Sequence, residues 1–250
     1  MVGVVRIVYY LINIRVVPRT LYLSRHGQSN YNSLNRLGGD SDLTEAGEEY
    51  SKKLANYINQ LNIDNVFVWT SWLKRTIQTA QYINGTQERY LVRAGLFTLL
   101  LTTTRWKTLN EIDAGDYDGL TYEEIQAKFP EYSCRHGAGK FMYRYPNGES
   151  YEDLVARMEP VIMELERKEN VVVVGHQAVL RCLLGYFLEI EEERMPYIEI
   201  PLHTVIKLTP VAYGCKVATS SPLSLPWIAM FQLEHIYIGP GCDQAENIED

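Results

Sequence analysis

Four consecutive valines, residues 171–174, restrict the fold of this 250-residue chain more than any other feature of its sequence. A strand with one face in water alternates apolar and polar residues, so an unbroken β-branched run is expected only where both faces are buried. The run therefore predicts the centre of an α/β sheet, and His176 follows directly after its last residue, Gly175.

A second apolar strand is predicted over residues 20–24, and a polar loop beginning Arg25-His26-Gly27 follows it. Open α/β sheets bind their ligands at the carboxyl ends of such strands. An imidazole beside a guanidinium at that place indicates a nucleophile for an anionic phosphoryl group, because the cation keeps the imidazole neutral and attracts the substrate. Taken alone, the Arg25-His26 pair is more typical of an ordinary solvated surface.

Capping residues divide the rest of the chain into helices. Thr44 is a predicted N-cap, Thr121 with Glu124 forms a predicted capping box, and Ser150 caps a long helix in which Pro160 is expected to cause a kink. Residues 177–188 predict another helix, and further strands are predicted at residues 66–69 and 203–208.

Charge and cysteine content exclude several classes of function. The formal net charge of −7 argues against general binding to nucleic acid or to an anionic membrane, so a phosphate site needs a local basic pocket. The four cysteines are too few and too scattered for a disulfide framework, and no CxxC pair indicates zinc. These features predict a reduced, cytoplasmic protein.

Six residues, spread over most of the chain, together resemble the active-site signature of the histidine phosphatase superfamily, also called the phosphoglycerate mutase-like family: Arg25, His26, Asn32, Arg75, Glu111 and His176. Read singly, His176 is equally consistent with a histidine buried in the core, and Glu111 is equally consistent with a residue that holds a turn. The resemblance implies a three-layer α/β sandwich, with a mostly parallel central sheet and helices on both faces.

Longer blocks narrow the resemblance to one branch of that family, the fructose-2,6-bisphosphatase half of the bifunctional phosphofructo-2-kinase enzymes. The similarity runs from about residue 6 to residue 216 and is carried by residues 74–80 (KRTIQTA), 109–115 (LNEIDAG), 143–154 (YRYPNGESYEDL) and 175–182 (GHQAVLRC). The branch implies hydrolysis of the 2-phosphate of fructose 2,6-bisphosphate, a regulator of glycolysis and gluconeogenesis, to fructose 6-phosphate and phosphate.

The resemblance also assigns roles to the six residues. His26 would attack phosphorus and carry a phosphohistidine, while Glu111 would protonate the departing sugar oxygen and later activate water. Asn32 and His176, with the two arginines, would hold the transferring oxygens. Phosphoryl transfer depends mainly on positioning and charge stabilisation, so no metal or other cofactor is expected.

A second group of residues is carried over for the sugar and its 6-phosphate, the small-molecule partner that the resemblance implies. Arg135 matches its family position only approximately, and His203 and His235 are interpreted as structural. The substrate-binding group consists of Gly38, Tyr122, Arg135, Lys140, Gln177 and Arg181.

The domain boundaries follow from where the resemblance begins, breaks and ends. Residues 1–19 are predicted to be a linker strand from the end of a missing kinase domain, through which the family implies a homodimer; the chain contains no GxxxxGK[ST] pattern. Residues 20–216 form the phosphatase domain, residues 90–105 are an atypical insertion, and residues 217–250 are a divergent tail.

Two other interpretations stay open on the sequence. One is a different enzyme of the same family, either a phosphoglycerate mutase or a broad-specificity phosphatase, which would use the same phosphohistidine. The other is a catalytically silent module that binds a metabolite.

Overall fold

The computed structural model describes residues 19–85, 88–91, 98–101, 103–129, 139–211 and 214–220. The predicted linker strand before residue 19, most of the predicted tail, Arg135 and His235 lie outside these residues. None of the helices in the described ranges is long and apolar enough to cross a membrane.

A six-stranded sheet forms the centre of the molecule, in the order β5-β2-β6-β1-β7-β8. Its strands β5, β2, β6 and β1 are parallel, β7 runs antiparallel to β1, and β8 runs antiparallel to β7. The six strands are β1 (Thr20–Arg25), β2 (Val66–Thr70), β5 (Thr103–Arg105), β6 (Asn170–Gly175), β7 (Val205–Val211) and β8 (Gly214–Ser220). Two further strands, β3 (Glu88–Leu91) and β4 (Thr98–Leu101), pair with each other in a separate antiparallel ribbon.

The valine run forms the interior of β6, between β2 and β1, and all four of its side chains are fully buried, as predicted. Val171 and Val173 belong to the apolar cluster on one face of the sheet, and Val172 and Val174 belong to the cluster on the other. Because successive side chains of a strand point to opposite faces, one short run fills both layers of the core.

Helices cover both faces, which confirms the predicted three-layer α/β sandwich. The helices α5 and α6 contribute to the first cluster, and α2 and α3 contribute to the second. The helices are α1 (Asn30–Ser33), α2 (Glu45–Gln60), α3 (Lys74–Ala80), α4 (Tyr122–Lys128), α5 (Tyr151–Arg167) and α6 (Gln177–Phe187), with 3-10 turns at Lys107–Leu109, Gly115–Tyr117 and Met195–Tyr197.

The three predicted caps are present. The Thr44 side chain accepts from the Gly47 N–H at the start of α2, Thr121 and Glu124 form a reciprocal capping box before α4, and Ser150 accepts from the Asp153 N–H at the start of α5. These contacts satisfy amide donors that a helix leaves unpaired in its first turn. Pro160 lies inside α5 without interrupting it.

Two predicted boundaries fall inside the sheet. Residues 103–105, the end of the predicted insertion, form β5 and pair with β2, and the Trp106 N–H donates to the Thr70 carbonyl at 2.8 Å. Threonines give no apolar periodicity in sequence, yet their branched side chains suit an edge strand. β5 therefore belongs to the sheet although its residues lie in the predicted insertion, and β8 likewise extends past residue 216 to Ser220.

Candidate active site

The two histidines meet because the strands that precede them are neighbours. Arg25, the last residue of β1, is paired in register with Gly175, the last residue of β6, and the His26 N–H donates to the Gly175 carbonyl at 3.0 Å. The ring centroids of His26 and His176 are 5.2 Å apart. Both imidazoles therefore lie at one point on the carboxyl edge of the sheet, where ligands bind in α/β folds.

The other parallel strands deliver their residues to the same edge. After β2 the chain passes Ser71 and enters α3, whose first turn carries the buried side chain of Arg75. After β5 it makes the Lys107–Leu109 turn and reaches Glu111. All four parallel strands thus contribute to a single site.

His26 is 3 % exposed, and its environment determines which ring nitrogen carries the proton. Nδ1 lies 2.8 Å from the carbonyl oxygen of Gly27, and because a carbonyl only accepts, Nδ1 must hold the hydrogen. Burial and then the positive charge of Arg75 lower the pKa of His26 well below its usual range. The imidazole is therefore neutral at pH 7, with an unprotonated Nε2 available as a nucleophile.

His176 is fully buried and has the opposite tautomer. Nε–H of Arg75 donates to Nδ1 at 3.3 Å, so Nε2 carries the hydrogen and donates to Ser71 Oγ at 2.8 Å. Burial, followed by the charge of Arg75, lowers the pKa of His176 well below its usual range.

Arg25 and Arg75 supply the positive charge next to the histidines. Arg25 donates from Nη1 to the Ile200 carbonyl at 2.8 Å, while its Nε is buried and has no hydrogen-bond partner within the described ranges. Burial lowers the pKa of Arg25 to about 10, which leaves it charged at pH 7. A buried cationic donor without a partner is costly unless an anion occupies the site.

Asn32 and Glu111 are held so that one polar atom of each is left for a ligand. Asn32 Oδ1 accepts from both the N–H and the Oγ–H of Ser29, at 3.0 Å each, so its Nδ2 is the remaining donor. Glu111 Oε1 accepts from the Ile112 N–H at 3.0 Å and the Ala178 N–H at 3.2 Å, and Oε2 is the remaining oxygen.

Apart from the fully buried His176, whose two ring nitrogens are already hydrogen-bonded within the protein, these side chains line a cleft of about 150 Å³ whose charge contrasts with the acidic chain. Glu111 is the acidic residue among the lining side chains, and the cationic ones are Arg25, Arg36, Arg75, Lys140 and Arg181. This is the local basic pocket that a phosphate site requires. Within the described ranges, no group of three or more His, Cys, Asp or Glu is arranged to hold a metal ion.

The residues expected to bind the sugar phosphate line the same cleft, apart from Arg135, which lies outside the described residues. Arg181 donates from Nε to the Ile198 carbonyl at 2.6 Å and from Nη1 to Tyr151 Oη at 2.9 Å. Burial, and then the charge of Arg181, lowers the pKa of Lys140 to about 8. Gly38 has φ +62°, and a Cβ there would collide with the Asp118 carboxylate.

Family comparison agrees with this geometry, since the profile of the histidine phosphatase superfamily (branch 1) matches residues 21–221. The chain belongs to the histidine phosphatase superfamily. Its match begins at β1 and ends beyond β8, so it covers every strand of the central sheet.

Relatives of this histidine phosphatase include bifunctional enzymes. It is 55% identical over 212 residues to 6-phosphofructo-2-kinase/fructose-2,6-bisphosphatase from Aquarana catesbeiana, and equally to 6-phosphofructo-2-kinase/fructose-2,6-bisphosphatase 4 from Homo sapiens. In both comparisons the match covers 85% of this chain and 42% of the relative, so the chain spans less than half the length of these enzymes.

Solved structures of other phosphatases share the fold of this histidine phosphatase. The alpha-ribazole phosphatase from Shigella flexneri has a TM-score of 0.64 at 22% identity, covering 78% of this chain and 93% of that one. The mycobacterial glucosyl-3-phosphoglycerate phosphatase in complex with inorganic phosphate has a TM-score of 0.63 at 22% identity, covering 83% and 100%.

The site of this histidine phosphatase also contains residues that sequence reasoning did not select. Tyr151 lines the cleft from the first turn of α5. It lies within residues 143–154, one of the blocks that carry the family resemblance, but the resemblance assigns it no role. His203, interpreted as structural, stacks on Tyr50 at 4.7 Å and accepts from the Gln28 N–H at 3.2 Å, so it supports the loop after His26. The other unselected lining side chains include Ser29, Tyr31, Arg36 and Tyr145.

Proposed function

We propose that this chain hydrolyses the 2-phosphate of fructose 2,6-bisphosphate to fructose 6-phosphate and phosphate through a phosphohistidine at His26. The observation that carries the proposal is the neutral His26, whose free Nε2 lies in a cleft with five cationic side chains and an unpaired Arg25 Nε. The bisphosphatase named in the relatives that are 55% identical supports the choice of substrate.

The first step transfers the phosphoryl group to the enzyme. His26 Nε2 forms a bond to phosphorus while the bond between phosphorus and the sugar oxygen breaks, and Glu111 delivers its proton to that oxygen. Donors from Arg25 and Arg75 stabilise the charge on the transferring oxygens. Glu111 is suited to this role because Oε1 is held by two backbone amides while Oε2 is left for the substrate.

The second step returns the enzyme to its starting state. A water molecule attacks phosphorus, Glu111 accepts a proton from that water, and the bond between phosphorus and His26 Nε2 breaks. Phosphate leaves, His26 is again neutral, and Glu111 is again protonated. The step consumes one water and yields one phosphate, so the overall reaction is a hydrolysis.

The second phosphate of the substrate accounts for the cations that the chemistry does not use. Lys140 and Arg181 line the same cleft as His26, with Tyr122 and Gln177 among the polar residues beside them. A phosphate dianion accepts hydrogen bonds from such donors and neutralises their charge. We assign these residues to the 6-phosphate.

The proposal also covers the cellular location and the oligomeric state of the enzyme. Cys182 and Cys215 are both free thiols, which is typical of a reducing compartment, and we propose a cytoplasmic location. The names of the relatives pair a kinase with the bisphosphatase. A homodimer through a kinase domain belongs to the same proposal, and sedimentation of the intact gene product would test it.

The decisive experiment measures phosphate release from fructose 2,6-bisphosphate and traps the phosphoenzyme by rapid acid-free quenching. The wild type should release one phosphate and form an acid-labile phosphoenzyme, while His26→Ala should do neither. Return of the phosphoryl group to a sugar or glycerate acceptor would identify a mutase, and equal rates on unrelated monoesters would identify a broad phosphatase. Binding without turnover would identify a silent module, and labelling retained in His26→Ala would refute the nucleophile.

A further inference from the structure

Glu111, the residue to which the proposed function assigns proton transfer, lies in a stretch with little regular structure. Between the 3-10 turns Lys107–Leu109 and Gly115–Tyr117 the chain forms neither helix nor strand. General acid catalysis requires the carboxyl to lie within hydrogen-bond reach of the leaving oxygen. A fixed position for the backbone of this stretch must therefore come from contacts outside it.

Arg157, in the middle of α5, makes those contacts on the amino-terminal side of Glu111. Its Nη1 donates to the carbonyl oxygens of Thr108 at 2.6 Å and Asn110 at 3.1 Å, and its Nη2 lies 3.4 Å from the carbonyl oxygen of Glu111. One guanidinium thus connects three backbone carbonyls of this stretch to a long helix in the core.

Glu149 completes the arrangement. It binds Arg157 through two parallel hydrogen bonds, Nε to Oε1 and Nη2 to Oε2, each 2.8 Å long. Its Oε2 also accepts from the Asp113 N–H at 3.0 Å, and its own N–H donates to the Asp113 carbonyl at 2.9 Å. The pair therefore holds the chain on both sides of Glu111.

Only arginine has the planar, five-donor geometry that these contacts use. Both side chains are mostly buried, at 21 % and 24 % exposure, so solvent screens their interaction less than that of a surface ion pair. Arg157 lines an adjoining cavity of about 530 Å³ and is not itself among the residues lining the catalytic cleft; the two spaces share Gly38, Arg75, Glu111 and Ile112. The hydrogen bonds of Arg157 go to Glu149 and to the backbone around Glu111.

We propose that Arg157 and Glu149 are positioning residues that hold Glu111 for proton transfer to the leaving oxygen. This inference rests on the proposed role of Glu111. It predicts a defect confined to the acid-assisted step, with substrate binding and the reactivity of His26 retained.

The test compares leaving groups in a single turnover, before the phosphohistidine is hydrolysed. A sugar alkoxide needs a proton to leave, whereas p-nitrophenolate leaves without one. Arg157→Gln and Glu149→Gln should slow the first step with fructose 2,6-bisphosphate by about 10- to 100-fold, and with p-nitrophenyl phosphate by less than about 3-fold. Arg157→Lys should be intermediate, because lysine cannot form the paired contacts. Arg167→Gln, an exposed position on the same helix, is the matched control and should match the wild type.

A second measurement separates positioning from general damage to the fold. The dissociation constant of fructose 2,6-bisphosphate, measured in a His26→Ala background, should change by less than about 2-fold when Arg157→Gln is added. Equal losses on both substrates, weaker binding, or an unchanged first step would overturn the inference. Glu111→Gln is the reference variant. If Glu111→Gln slows the reaction equally with both leaving groups, the proposed role of Glu111 fails. If Glu111→Gln depends on the leaving group but the Arg157 and Glu149 variants do not, only the positioning inference fails.

Discussion

At the scale of single residues, the proton on His176 is held by a chain of side-chain hydrogen bonds. His176 Nε2 donates to Ser71 Oγ, Ser71 Oγ lies 2.8 Å from Thr76 Oγ1, and Thr76 Oγ1 donates to the Leu73 carbonyl at 2.9 Å. Because Arg75 Nε–H occupies Nδ1 of His176, each hydroxyl in the chain can point in only one direction. Ser71 therefore orients an imidazole that contacts Arg75, one of the cations lining the cleft.

Ser71→Ala should leave the buried Nε2–H of His176 without an acceptor, at a cost of about 1–3 kcal/mol in the free energy of unfolding. We expect a lower Tm and a first step slowed by roughly 10-fold, because His176, whose Nδ1 accepts from Arg75 Nε–H, no longer holds that guanidinium in place. Ser51→Ala is the control: Ser51 is also fully buried and donates to the Gln78 carbonyl at 2.8 Å, away from the cleft. It should lower Tm with no change in rate, and a full rate in Ser71→Ala would contradict the assignment.

The lowered pKa of Lys140 predicts a pH dependence of substrate affinity. Below pH 8 the ammonium is protonated and, in its proposed role, binds the 6-phosphate; as pH rises through the pKa of about 8 the charge is lost. We expect kcat/KM for fructose 2,6-bisphosphate to fall across this pH range, above the range in which phosphate itself titrates.

Two substitutions of Lys140 check the origin of this effect. Lys140→Arg keeps its charge at every pH tested, so the fall near pH 8 should disappear. Lys140→Met should raise KM over the whole pH range and should show no fall in kcat/KM near pH 8. If the fall near pH 8 survives in Lys140→Met, a different group titrates.

At the scale of secondary-structure elements, β5 changes the interpretation of the predicted insertion. Its three residues extend the parallel sheet beside β2, and Trp106, which follows it, packs against Trp69 with ring centroids 5.2 Å apart. The loop that carries Glu111 starts from this anchored strand. The strand therefore fixes the point from which the chain runs to Glu111 in the cleft.

Deletions with two different endpoints separate the insertion from the sheet. Removal of residues 90–105, the whole of the predicted insertion, also removes β5. We expect that deletion to lower the free energy of unfolding by about 2 kcal/mol, because the hydrogen bonds between β5 and β2 are lost. Removal of residues 90–102 retains β5 and should preserve Tm and KM while raising soluble yield. Thermal melts of both variants, read with their rates, would contradict this if the shorter deletion were the less stable.

At the scale of the whole molecule, an acidic protein carries a basic cleft. The net charge of −7 repels an anionic substrate at long range, and the five cationic side chains of the cleft attract it at short range. Salt screens exposed charges beyond the Debye length, about 10 Å at 0.1 M, and weakens contacts to solvent-accessible cations. The balance between the two effects can be measured directly.

We expect KM for fructose 2,6-bisphosphate to rise several-fold between roughly 0.05 and 0.5 M sodium chloride, with kcat nearly constant. The buried groups around His26 are shielded from salt, which is why the chemical step should not respond. A kcat that falls in parallel with the rise in KM would indicate that salt acts on the fold or on the buried site. The Lys140→Met variant should show a weaker dependence, since one accessible cation is removed.

The sequence by itself determined the central strand, several helix starts and the polar residues that reach the cleft. The valine run, the caps at Thr44, Thr121 and Ser150, and the polar residues after β1 and β6 were all predictable. Apolar periodicity and capping depend on neighbours within a few positions, so they are visible in the order of residues alone.

Only the tertiary structure decided how these parts meet. It inserts β6, the last parallel strand in the chain, between β1 and β2, and so brings His26 and His176 together. It also decides the tautomers of both rings and the contact of Arg157 with the stretch around Glu111. Each of these depends on distances and hydrogen-bond directions between residues far apart in the chain, and no local pattern encodes such distances.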